Sequence, residues 1–162
     1  MILENCEVHF AKLDRPSARY NKDNPTWELQ IRTSDREVKK LWEKINLNVK
    51  PVVPDEGEPY FRVNLRKRSI KKDGVPAQPP TVVDKKLRPI DPKTIGNGSI
   101  CNVRIYQYPY NGGASTASIL MGVQVLKHIY FEPKPRDEDF EEMDGETEVE
   151  PFDSIPDDEV AF

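Results

Sequence analysis

Cysteine is nearly missing from this chain, with two, Cys6 and Cys101, among 162 residues. Two isolated cysteines make no disulfide framework, which points to a reducing compartment. Long apolar runs are missing too. The longest, "SILMGVQVL", is broken by Gly122 and Gln124, so no segment reaches the length that crosses a bilayer. The first ten residues, "MILENCEVHF", lack the basic region and apolar stretch of a signal peptide. The expectation is a soluble cytoplasmic protein with no membrane partner. Catalytic groupings are missing as well: no Ser, Cys or carboxylate stands beside a plausible base, so no enzyme is expected. Cys6, His9, Cys101 and His128 would suffice in number for a zinc site, but their spacing speaks against one. Cys6 and His9 lie three apart on a strand, hence on opposite faces, and no paired CxxC supports zinc. "GNGS" (96–99) lacks the lysine and following helix of a phosphate-binding loop and reads as a turn. No cofactor is expected, and there is no internal repeat.

One sign of charge is absent from the last 26 residues. Residues 137–162 hold 13 acids and no Lys or Arg. All 24 Lys and Arg fall in residues 1–136 with the other 15 of the 28 acids. The net charge of -4 therefore hides a body at +9 and a tail at -13. Basic bodies suit polyanions and acidic tails suit basic surfaces. The tail has three phenylalanines and no usable periodicity; such a segment is expected to be disordered when free. The division sought is a folded domain over 1–136 and an acidic tail over 137–162.

The body reads mostly as strands. "CEVHFAKL" (6–13) is the first, followed by a loop over 13–25 holding Arg15, Arg19 and Tyr20. "TWELQIRT" (26–33) alternates, with Trp27, Leu29 and Ile31 inward and Glu28, Gln30 and Arg32 outward. Ser34 and Glu37 form a capping-box pattern. Val38, Leu41, Trp42 and Ile45 then mark one face of a helix ending near Leu47. Trp27 and Trp42 are assigned to the core. "EPYFRVNLRKRS" (58–69), "TVVD" (81–84), "ICNVRIYQYPY" (100–110) and "TASILMGVQVLKHIYF" (116–131) complete the strands; the last is one strand, or two joined by a kink at Gly122. Short links favour antiparallel pairing. The fold expected is mainly β: an OB-fold-like, five- to six-stranded antiparallel barrel with one α-helix.

Two strands carry similar outward faces. One presents Tyr60, Arg62, Asn64, Arg66 and Arg68; the other presents Arg104, Tyr106, Tyr108 and Tyr110. Cations neutralise phosphates, and aromatic rings stack on unpaired bases. Duplex offers no free base faces, so this chemistry prefers single strands. Lys67, Lys71 and Lys72 extend the field, with Lys85, Lys86, Arg88 and Lys93 in the neighbouring loop. Against this, charged outer faces also protect edge strands from aggregation, and tyrosine suits half-exposed strands. An OB-like protein-interaction module and an RNA-binding protein are the alternatives; 2'-hydroxyl contacts cannot be read from a sequence.

The order of these segments resembles the T7-type bacteriophage single-stranded DNA-binding proteins. The resemblance runs through the basic-aromatic loop, "TWELQI", the helix, "YFRVNLRKR", "VRIYQYPYNGGAS", the long last strand and the acidic tail "SIPDDEVAF". It implies an OB-fold that binds single-stranded DNA without sequence preference, acts in replication, recombination and repair, protects the strand and promotes annealing. By this resemblance Arg62 and Arg66 match the basic strand, and Tyr110, or alternatively Tyr108, matches a base-stacking tyrosine. Asp157, Asp158, Glu159 and Phe162 match the tail tip that contacts the replicative DNA polymerase and other replication proteins and supports a homodimer. A phage origin would place the protein in the host cell cytoplasm. The chain is shorter than the type member. Its helix follows the second strand, where an OB-fold usually carries it after the third.

Overall fold

The structure is a computed structural model that describes residues 1–19 and 21–132. Among these, seven strands and one α-helix follow in the order β1 (Ile2–Ser17), β2 (Thr26–Thr33), α1 (Arg36–Lys44), β3 (Lys50–Val52), β4 (Tyr60–Arg68), β5 (Thr81–Asp84), β6 (Ser99–Tyr110) and β7 (Ser115–Lys127). A short 3-10 turn covers Pro92–Thr94. The sheet order is β3-β4-β2-β1-β6-β7-β5, with a further pairing of β4 to β7. That pairing closes five strands, β1, β2, β4, β7 and β6, into a barrel. β3 and β5 lie outside the ring. The closure is parallel and narrow, through Arg66 and Ile119, and β5 also pairs in parallel with β7. The other pairings are antiparallel, and short links join three of the pairs, β1 to β2, β3 to β4 and β6 to β7.

β1 is longer than "CEVHFAKL" because it serves two neighbours. Its first half pairs with β6 and its second half with β2. It is therefore a central strand of the barrel. Two bulges bend it between these tasks, and a third irregularity follows between Lys12 and Ser17. One extra residue falls between Leu3 and Cys6 against β6, and another between His9 and Lys12 against β2. Each bulge contains one left-handed residue, Asn5 (φ 53°) and Phe10 (φ 53°). Bulges increase strand bending and twist, which a small barrel needs.

The inward faces supply the core. Val8, Leu29, Ile31, Val63, Leu65, Val103, Ile105 and Leu120 are buried in it together with Cys6 and Cys101. Trp42 of α1 joins this cluster; Trp27 is buried but lies outside it. The helix differs from its sequence pattern in two ways. Its N-cap is Asp35, whose Oδ1 accepts from the Glu37 amide at 2.8 Å, so Ser34 is not the cap. Asp and Ser are equally good caps, and the turn at Thr33 settles which is used: the Asp35 amide donates to Thr33 Oγ1. Leu41, on the helical stripe, stays 61% exposed, because the helix meets the barrel along a narrow line centred on Trp42. At its end the Leu47 amide donates to the Trp42 carbonyl and the Asn46 amide to the Glu43 carbonyl, with Asn46 left-handed. This is a Schellman closure, and it turns the chain into β3, a strand the proline-rich "NVKPVVP" did not announce.

β7 runs through Gly122 without a break. The irregularity instead appears as one extra residue, Met121, opposite the Arg104–Ile105 step. No helix among the described residues is long and apolar enough to cross a membrane.

Candidate nucleic-acid interface

The outer face of β1, β2 and β4 is built in rows, because residues paired across antiparallel strands share a face. Glu7, Arg32 and Arg62 form one row, extended to Lys50 on β3; His9, Gln30 and Asn64 form the next; Lys12, Glu28 and Arg66 form the third. Ser17, Thr26 and Arg68 follow. Arg32 Nε donates to Gln30 Oε1 at 2.6 Å, joining the first row to the second, and Gln30 Nε2 donates to Asn64 Oδ1 at 3.0 Å within the second. The Arg32 guanidinium also lies 4.4 Å from the Tyr60 ring centre and 5.3 Å from that of Phe10. The face is thus a set of cations, one of which, Arg32, is held in place by an amide and two rings. Five of the nominated residues, Tyr60, Arg62, Asn64, Arg66 and Arg68, lie on it together.

Two acids, Glu7 and Glu28, are the exceptions in sign, and Glu28 is the buried one. It sits in the middle of the third row, 7% exposed, with one carboxylate oxygen lacking a hydrogen-bond partner. Lys12 Nζ is 3.9 Å from its other oxygen. Burial pushes its pKa up, and the charges of Lys12, Arg19 and Arg66 pull against that rise. Lys67 alternates with Arg66 and Arg68 and lies opposite Trp27 on the other face. Burial, then the charge of Lys71, draws its pKa down.

Beside β4 a cleft of about 160 Å³ is lined by Arg62, Asn64 and Arg66, by Lys50 and Asn48, and by Thr116 and Ser118 of β7. The far wall is the arm formed by the ends of β6 and β7. Gln107 braces it, donating to Ser118 Oγ at 3.0 Å and to the Ile45 carbonyl at the end of α1 at 2.7 Å.

The nominated tyrosines lie on the other side of that arm. Tyr106, Tyr108 and Tyr110 pair with Ile119, Ala117 and Ser115, whereas the cleft is lined from the alternate set that pairs with Gln107 and Pro109. Tyr106 and Tyr108 have ring centres 6.1 Å apart, and all three tyrosines are exposed. Arg104 is further down the same strand. Its guanidinium lies over Gly122, where an added Cβ would come within 3.5 Å of Nη2. It borders an apolar hollow of about 350 Å³ with Ile2, Val83, Leu87 and Val123. The structure therefore brings the β4 residues together on one surface and places the β6 residues on a second. Tyr20, Asp157, Asp158, Glu159 and Phe162 lie outside the described residues.

No protein-family model matches the chain, and no curated protein matches it by sequence. Solved structures do match. The single-stranded DNA-binding protein from bacteriophage Enc34 in complex with ssDNA superposes with a TM-score of 0.55, at 14% identity over 83% of this chain and 88% of that one. The same phage protein without the complex gives 0.51, at 15% identity over 87% and 86%. The bacteriophage T7 single-stranded DNA-binding protein gp2.5 gives 0.45, at 15% identity over 88% and 96%. The barrel is OB-like. In OB-like barrels, oligonucleotides lie across the second and third ring strands, flanked by the loops joining the first strand to the second and the fourth to the fifth. Here those strands are β2 and β4, and those loops are the 18–25 segment and the β6–β7 arm.

Sequence reasoning missed Phe10, Lys12 and the ordering role of Gln30 and Arg32. Strict alternation turns Phe10 inward with Cys6 and Val8. The bulge reverses this, and Phe10 is 53% exposed. The signal was present in the sequence: the apolar residues change parity from Val8 and Phe10 to Ala11 and Leu13.

Proposed function

We propose that this protein binds single-stranded DNA without sequence preference, across the β2–β4 face of its OB-like barrel. The observation that carries this reading is the row structure: Arg32, Arg62, Arg66 and Lys12 present charge at strand spacing, interleaved with Tyr60 and Phe10, on the face that OB-like barrels use. The Enc34 likeness agrees with it, since that protein was captured with ssDNA. Arg62, Arg66 and Arg68 hold phosphates, Asn64 orders the face, and Tyr60 stacks. Tyr108 and Tyr110, with Tyr106 and Arg104 behind them, extend the path around the arm.

In this reading the protein is a binder and not a catalyst. Residues 1–136 form the binding domain and residues 137–162 an acidic tail. The tail competes with DNA for the basic face, at a local concentration raised by tethering. Once displaced, it recruits replication proteins through Asp157, Asp158, Glu159 and Phe162. Service in phage replication, recombination or repair, strand annealing and a homodimer follow from the family resemblance and belong to the same proposal.

Gel shifts with single-stranded DNA, single-stranded RNA and duplex, each with the full chain and a chain ending at 136, test it. Single-stranded DNA should bind best, and the shortened chain should bind tighter, most clearly at low salt. Preference for duplex would overturn the site. Equal affinity for RNA would move the substrate to single strands in general. No gain on shortening would remove tail competition alone.

A further inference from the structure

Two bulges of β1, at Asn5 and at Phe10, offer an internal comparison. Both need a left-handed residue, and at both the bulged amide donates to an asparagine side chain: Asn5 to Asn102 Oδ1 at 3.1 Å and Phe10 to Asn97 Oδ1 at 2.8 Å. At the first bulge the residue is asparagine, one of the few types that tolerate that conformation. At the second it is phenylalanine, for which it is a true outlier. The "GNGS" turn braces this second bulge: Asn97 accepts from Phe10, and the Gly98 amide donates to the Val8 carbonyl. Packing does not explain the choice, since Phe10 is 53% exposed. Backbone strain that surrounding structure holds in place tends to accompany function.

The strained ring is placed where a ligand would meet it. It lies 5.3 Å from the Arg32 guanidinium, which is 4.4 Å from the Tyr60 ring on the other side of the row. His9 adds a tilted ring 6.1 Å away. We propose that Phe10, with Arg32 and Tyr60, forms a subsite that stacks one unpaired nucleobase at the β1 edge of the face. Arg32 serves as a positioning residue that holds the two rings and shares its charge with the adjoining phosphate. The subsite deepens the single-stranded DNA reading and rests on it. Stacking is nearly blind to base identity, so the subsite adds affinity and no sequence preference.

Glycine is the residue most at ease at a left-handed bulge, which makes the test direct. The full-length Phe10→Gly chain should melt at or above the wild-type temperature. It should bind a fluorescein-labelled dT or dA oligonucleotide about five- to a hundredfold more weakly, the range a lost base stack implies. Phe10→Trp keeps a ring at the same point. It should bind like wild type, with tryptophan emission quenched by the unlabelled oligonucleotide beyond any change from buried Trp27 and Trp42. Three results overturn the subsite while leaving the parent reading intact: wild-type affinity in Phe10→Gly, a clear drop in its melting temperature that marks the ring as structural, or unquenched emission in Phe10→Trp. If the wild-type chain binds neither oligonucleotide, the parent reading falls and the subsite with it.

Discussion

Cys6 and Cys101 face each other across β1 and β6, and both are free and buried. Burial pushes each thiol up to about 12, with Cys101 adding to the rise at Cys6. A raised native value means the folded state holds these protons more tightly than the unfolded chain. Their contribution to stability is complete below about 9, the ordinary thiol value, and is lost as pH rises through about 12. At pH 8 the native protein should leave a thiol reagent unreacted, and the unfolded protein should release two thiols. Rapid reaction of the native chain would contradict the packing of this pair. Glu28 follows the same sign at lower pH. Its raised native value means that its ionised form opposes folding at neutral pH. Glu28→Gln should therefore be at least as stable as wild type at pH 7. It should also bind single-stranded DNA roughly fivefold tighter at low salt, the effect of removing about 1 kcal/mol of unfavourable charge near the strand. Weaker binding in a correctly folded Glu28→Gln would instead mark the carboxylate as a group that positions Lys12 and Arg66.

At the scale of elements, α1 and the β6–β7 arm act as one support. Trp42 seats the helix on the core, and Gln107 ties the helix end to the arm that walls the cleft. Trp42→Ala should destabilise the protein by about 3–5 kcal/mol, read as a shift in the denaturant midpoint. A loss below about 1 kcal/mol would mean that the helix contributes little to the fold. Elements were legible in the sequence where periodicity was strong. "TWELQIRT" and "TVVD" match β2 and β5 residue for residue. β4 and β6 end within two residues of their sequence limits. The losses have physical causes. β3 is three residues long and contains a proline, so it has no period to detect. Leu41 keeps helical spacing yet faces solvent, because spacing defines a stripe and not how much of it is covered. Phe10 was lost to a bulge, which exchanges inside for outside without changing composition.

At the scale of the molecule, the OB-like barrel was expected from the sequence, and the strand pairing that closes it was not. A parallel pairing of β4 with β7 at Arg66 and Ile119 turns an open sheet into a barrel, and pairing between strands so far apart in the chain leaves no local trace. Strand pairing within the ring decides which basic residues share a surface. It gathers Arg62, Asn64 and Arg66 with Lys12, Gln30 and Arg32. It sends Tyr106, Tyr108 and Tyr110 to the opposite side of the arm. The sequence reading treated the two strands as similar outward faces, and the structure places them on two surfaces. The charge division between residues 1–136 and 137–162 is a property of the whole chain and was fully legible from composition.

The most direct test of the central claim is the salt dependence of oligonucleotide binding by the full chain and by Arg62→Ala, followed by anisotropy of a labelled single strand. Wild-type affinity should fall linearly on logarithmic axes, by about 0.7 log units per log of salt for each phosphate neutralised. Arg62→Ala should bind more weakly and lose about one phosphate's share of that slope. A wild-type affinity indifferent to salt, or an Arg62→Ala slope equal to wild type, would contradict the assignment of the β2–β4 face as the path of the strand.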